Sequence, residues 1–134
     1  MVINYSGPSM NPTFLTGDWL NVIPYDNYNR HKPEAGDVIV FHPPEESRMV
    51  VHRIVSLDPD SGAIRTRGDN NNGEDSWCIE LRDITGVVVS AKRGGKTIRI
   101  RHGKTGLSRA RLLWRQKRLI DAVLKKLRPI YHFY

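Results

Sequence analysis

The sequence predicts a mainly β protein, a small coiled β-sheet body followed by one C-terminal amphipathic α-helix. Short β-branched runs recur at close spacing through the first hundred residues, and glycine and proline punctuate them. After Ser108 the apolar period changes from two to three and four. With 134 residues, 39% of them hydrophobic and 26% charged, the chain has the composition of one ordinary globular domain with a modest core.

Taken in order, the chain opens on "YSGPSMNPT", a loop-forming stretch that is either a loose end or a holder for one serine. "TGD" then makes a turn into the strand-like "DWLNVIPY", and the polar stretch Asp26 to Pro33 reads as a loop. "AGDVIVFH" is a turn and a buried strand, ended by the two prolines of "HPPEES", which cannot continue a ladder. "RMVVHRIVSL", "AIRTRG", "WCIEL", "ITGVVVSAK" and "KTIRIR" read as further strands, with "DPDSGA" and "DNNNGEDS" as turns or loops between them. In the tail, Leu112, Leu113, Leu119, Ile120, Val123, Leu124 and Leu127 form one helical face, with Ser108 as N-cap and Pro129 as the stop. The chain thus divides into a β-rich body, 1–106, and a basic helix, 107–134.

The formal net charge is +7, and it is uneven: from Ala91 onward cations are dense and the sole acid is Asp121. A helix with Arg111, Arg115, Arg118 and Lys125 opposite leucines docks on the body with a solvated basic face, lies on an anionic membrane surface, or contacts nucleic acid or another protein. There is no helix-turn-helix, and nucleic acid is not the expected partner. No apolar run of 18 residues is present, so nothing in these 134 residues spans a bilayer, and no secretory signal opens them. That leaves the location undecided between a membrane surface and the cytoplasm, with a membrane anchor before Met1 left open. The lone Cys78 allows no intrachain disulfide and reads as a small buried hydrophobe.

Three places could carry chemistry. Ser9, between Gly7–Pro8 and Pro12, has little freedom, and its own N–H is raw material for an oxyanion hole. A nucleophilic serine needs a base, and His52 lies on an apolar strand where alternation sets Val50, His52 and Ile54 on one face. His31 and His42 fall in or beside loops, and His102 and His132 in the tail, so these look less constrained. Asp69 and Asp75 in "TRGDNNNGEDS" are carboxylates that could orient an imidazole, although such a cluster is also ordinary turn chemistry. Its spacing lacks the EF-hand pattern, and neither a metal nor another cofactor is expected.

Together, "GPSMNPT…TGDWLNV", "AGDVIVF", "VVHRIV" and "TRGDNNNGEDS…ITGVVV" resemble, in order, the boxes of type I signal peptidases, over about Gly7 to Val89. The resemblance implies the signal peptidase/LexA-like fold, with Ser9 as nucleophile followed by Met10 in the Ser-Met pair. Bacterial members carry a lysine base where this chain has His52, so the sequence resembles the Ser-His subtype of archaeal and endoplasmic-reticulum enzymes. In that subtype Asp75 would partner His52 and Asp69 would brace the loop. Imidazole suits the base role because it titrates near neutrality without the desolvation a lysine needs. Substrates would be peptide precursors with small P1 and P3 side chains, held along apolar pockets to which Met10 and Pro12 would contribute. Many members have a serine two residues before the nucleophile; here that position is Gly7, and Ser6 is the candidate replacement in the oxyanion hole. Three readings follow from this: processing of signal peptides, maturation of one dedicated precursor, or a non-catalytic basic β module. Oligomeric state is not readable.

Overall fold

The computed structural model describes residues 1–25 and 32–131, with side chains described to residue 127. His31, His132 and most of the predicted loop Asp26–Pro33 lie outside the described residues.

Seven strands form one antiparallel sheet: β1 (Val2–Asn4), β2 (Trp19–Ile23), β3 (Val38–Phe41), β4 (Val50–Leu57), β5 (Ile64–Arg67), β6 (Ile84–Arg93) and β7 (Lys96–Arg99). The order is β1-β2-β6-β3-β4-β5, with β7 also paired to β6. The ten residues of β6 are long enough to serve three partners, pairing β3 through Ile84–Val87, β2 through Val87–Lys92 and β7 through Ser90–Arg93. Bulges at Asn21/Val22, Val40/Phe41 and Ile54/Ser56 bend the strands, and the sheet coils around two apolar clusters. Alternation along β3 supplies both. Val38 and Val40 join Tyr5, Met10, Phe14 and Leu20 on one face, while Ile39 and Phe41 join Val50, Ile54, Ile64 and Ile79 on the other. A strand buried on both faces has no polar side to show, hence the unbroken "VIVF".

Two expectations change here. "WCIEL" is not a strand: Ile79 makes a single bridge to Ile64, and a 3₁₀ turn follows over Leu81–Asp83. Cys78 is exposed, because the bridge turns Ile79 inward and its neighbour outward; its Sγ accepts from Arg65 Nη1 at 3.3 Å.

The helix α1 runs Gly103–Tyr131, so it starts five residues before Ser108 and continues through Pro129. Its first turn is closed by Gly106 N–H donating to the His102 carbonyl at 3.0 Å. Most of the apolar stripe does not dock; Leu113 is its partly buried member, lining a groove with Ile98 and Arg53. Leu112, Leu119, Ile120, Val123, Leu124 and Leu127 are all exposed, and the close approach to the body runs through Gly103, Gly106 and Ala110 instead. A Cβ on Gly36 would stand 1.8 Å from the Gly103 carbonyl oxygen, so backbone meets backbone where the helix begins. No helix among the described residues is long and apolar enough to cross a membrane.

Candidate active site

Backbone hydrogen bonds tie the opening loop to itself. Tyr5 N–H donates to the Asp18 carbonyl and Gly17 N–H to the Tyr5 carbonyl, both at 2.8 Å, zipping its two ends together. Between them, Asn11 N–H donates to Pro8 O and Phe14 N–H to Met10 O, winding the chain into turns. Met10 and Phe14 are fully buried and anchor those turns in the core. Gly7 turns at φ +116°, a conformation open to glycine. Ser9, left half-buried at the surface of this scaffold, is held at its hydroxyl by Tyr5, whose Oη lies 3.4 Å from Ser9 Oγ and accepts from Met10 N–H at 3.0 Å.

His52 sits mid-β4, paired with Ile39 of β3, and is 6% exposed. Its Nδ1 lies 2.6 Å from Asp75 Oδ2. That oxygen also accepts from Thr66 Oγ1 at 2.6 Å, and Asp75 N–H donates to the Thr66 carbonyl at 2.8 Å. Trp77 completes the chain: its indole N–H donates to Thr66 Oγ1 at 3.2 Å and its ring stacks on the imidazole, centroids 6.4 Å apart and planes 18° apart. Phe41 meets both rings edge-on. The carboxylate thereby fixes the tautomer and rotation of His52, leaving Nε2 for other work.

Ser9, His52 and Asp75 line one cleft of about 500 Å³, together with Ser6, Gly7 and Trp77. Among the described residues no hydrogen bond joins Ser9 Oγ to His52; the serine hydroxyl rests on Tyr5. Catalytic hydrogen bonds commonly tighten only when substrate binds. Ser9 N–H donates to no protein group among the described residues, whereas Gly7 N–H is taken by Thr16 Oγ1 at 3.1 Å.

The other predicted residues go elsewhere. Asp69 does not reach His52. Its carboxylate takes Arg53 Nε and Nη2 at 2.9 Å each and the Thr13 hydroxyl, while Arg53 Nη1 gathers the carbonyls of Gly36 and Arg101. Met10 packs in the core rather than the cleft, with its Sδ accepting from Asp69 N–H. Pro12 lines a different groove, beside Thr13, Arg53 and Ile98. His102 is more constrained than its place in the tail suggested, lying 3.5 Å from Asp37. Burial alone would raise the Asp37 carboxyl, but hydrogen bonds from His102, Tyr25 and the Glu34 N–H outweigh it and hold the group below its ordinary value. Tyr5, Thr66 and Trp77 are the site residues that spacing did not single out.

With the geometry in hand, comparison with known proteins is informative. A family model described as signal peptidase, peptidase S26, matches residues 2–76, which span Ser9, His52 and Asp75. The chain belongs to this signal peptidase family. Among curated proteins it is similar to the signal peptidase complex catalytic subunit SEC11 of Zygosaccharomyces rouxii, 34% identical over 100 residues. It is also similar to the subunit of the same name from Eremothecium gossypii, 33% identical over 99 residues. Each alignment covers 66% of this chain and 56% of the relative, so the chain spans just over half the length of the curated relatives it matches. No solved structure matches it.

Proposed function

We propose that this protein is a serine endopeptidase of the signal peptidase type, cleaving a leader or signal peptide after a small residue. The observation that carries the reading is the buried 2.6 Å contact between His52 and Asp75 on the wall of the cleft that Ser9 also lines. In this reading His52 Nε2 takes the Ser9 proton as the hydroxyl attacks the scissile carbonyl. Ser9 N–H then receives the developing oxyanion, with the Ser6 hydroxyl as a second donor. His52 returns the proton to the leaving amine, and water releases the acyl group. Asp69 acts at a distance, by fixing Arg53 and the loop above it.

The precursor is one partner, and an anionic membrane surface is the other. The exposed stripe of α1, flanked by Arg111, Arg115, Lys125 and Lys126, has the apolar area and charge that such a surface takes up.

Cleavage of an Ala-X-Ala peptide by the purified chain should fall by at least about 10³-fold in Ser9→Ala. A serine-directed phosphonate should add its mass to Ser9. Unchanged cleavage in the variant, with no adduct in the parent, would leave a basic β module that binds without catalysis.

A further inference from the structure

Asn70 stands between the nucleophile loop and α1 and holds both. On the loop side its N–H donates to the Ser9 carbonyl at 2.8 Å, and its Nδ2 donates to the Pro8 carbonyl at 3.0 Å. On the helix side its Oδ1 accepts from Lys117 Nζ at 2.7 Å, and its carbonyl accepts from Arg118 Nη2 at 2.9 Å. The seam is reinforced by Trp114, with the Arg67 guanidinium 4.9 Å and the Arg118 guanidinium 5.2 Å from its ring centre, and by Arg67 Nε on the Asn71 carbonyl at 2.9 Å.

Planarity gives these bonds a mechanical meaning. The Pro8 carbonyl and the Ser9 N–H belong to one rigid peptide unit, in which they point opposite ways. Fixing Pro8 O therefore aims Ser9 N–H, and fixing Ser9 O locks the next peptide unit along. Asn70 thus grips both peptide planes that flank the serine. A lysine ammonium on the carboxamide oxygen also polarises that amide and strengthens its N–H toward Pro8.

We infer that α1 sets the aim of the nucleophile loop: Lys117 and Arg118 are positioning residues that act through Asn70 on the Ser9 N–H. The inference rests on the serine peptidase reading for its kinetic consequence, though not for its structural one. Neither cation lines the cleft that holds Ser9 and His52, so neither is placed to touch substrate there.

The test is the full chain with Lys117→Met and Arg118→Met together, beside the conservative pair Lys117→Arg and Arg118→Lys. In the methionine double variant kcat on the Ala-X-Ala peptide should drop roughly 10- to 100-fold with KM within about twofold, as expected when a transition-state donor loses its aim. The conservative pair should recover most of that loss. A readout independent of activity is the backbone amide of Ser9 in a nitrogen-15 spectrum. In the double variant it should shift, and the Asn70 N–H that holds the Ser9 carbonyl should exchange with solvent at least about tenfold faster, while Thr97 on β7 stays unchanged. A Ser9 amide that does not shift, with an Asn70 amide that exchanges no faster, overturns the inference, as does a loss carried by KM alone. If the parent chain shows no peptidase activity yet the Ser9 amide responds as expected, the positioning inference stands and the enzyme reading falls.

Discussion

Asp75 Oδ2 accepts two 2.6 Å hydrogen bonds, from His52 Nδ1 and from Thr66 Oγ1, in a site where both ring and carboxylate are nearly dry. A charged acceptor so committed holds the imidazole in the tautomer that frees Nε2. Asp75→Asn keeps the shape and removes the charge, so an amide N–H can face the ring and favour the wrong tautomer. Its kcat should fall by about 10³- to 10⁴-fold with KM little changed, measured on the same peptide. A loss below tenfold would mean that Asp75 does not serve His52. At this scale, the ordered boxes singled out Ser9, His52 and the two aspartates as candidates, and the geometry pairs Asp75 rather than Asp69 with the histidine. Met10 was not. The loop around it winds in turns rather than extending, so the residue after the serine faces inward and not along a strand. Tyr5, Thr66 and Trp77 were hidden for another reason. Their partners are set by sheet register and loop packing, which leave no spacing in the sequence.

Among the elements, α1 departs furthest from expectation. Periodicity revealed its apolar face but not what that face meets, and the low helix propensity of Gly103 and Gly106 concealed its first turn. Those same glycines let the backbone come close to Gly36 and Arg53, so the start of the helix docks through carbonyls and small residues, Trp114, Lys117 and Arg118 hold the next turns, and most of the leucines stay exposed. The exposed stripe should bind vesicles containing anionic lipid in a flotation assay. Leu119→Ser, Val123→Ser and Leu127→Ser combined should weaken that binding at least about tenfold, since each buried apolar side chain contributes about 1.5–3 kcal/mol. High salt should weaken it as well. Binding indifferent to anionic lipid would remove the membrane as a partner.

Across the whole molecule, the sheet order could not be read from local pattern. Propensity and turns located most strands, but which strand lies beside which depends on contacts distant in sequence, as in the three partners of β6. One such long connection is Asp18 with Arg93, joining the turn before β2 to the end of β6 at 2.7 and 2.9 Å. The hydrogen bonds from Arg93, more than the Leu15 N–H, hold the buried Asp18 carboxyl below its ordinary value despite the opposing effect of burial. A depressed folded-state value means the pair stabilises the protein above the unfolded carboxylate range, about pH 3.9. That contribution disappears as pH falls through the lower folded value. Arg93→Met should therefore cost about 2 kcal/mol near neutral pH. In denaturant titrations the gap to the parent should narrow steadily toward about pH 2. A gap independent of pH would show that Arg93 acts by packing alone.

Two of the three tryptophans mark two separate places described above. Trp77 lies against the imidazole of His52, and Trp114 lies between Arg67 and Arg118 at the seam of helix and body. Indole emission responds to a neighbouring cation and to water. The chain therefore carries one built-in fluorophore beside the proposed base and another at the helix seam. With the third, exposed Trp19 replaced and Trp114→Phe or Trp77→Phe added in turn, the state of the imidazole and the seating of α1 become separately visible in light, without a label.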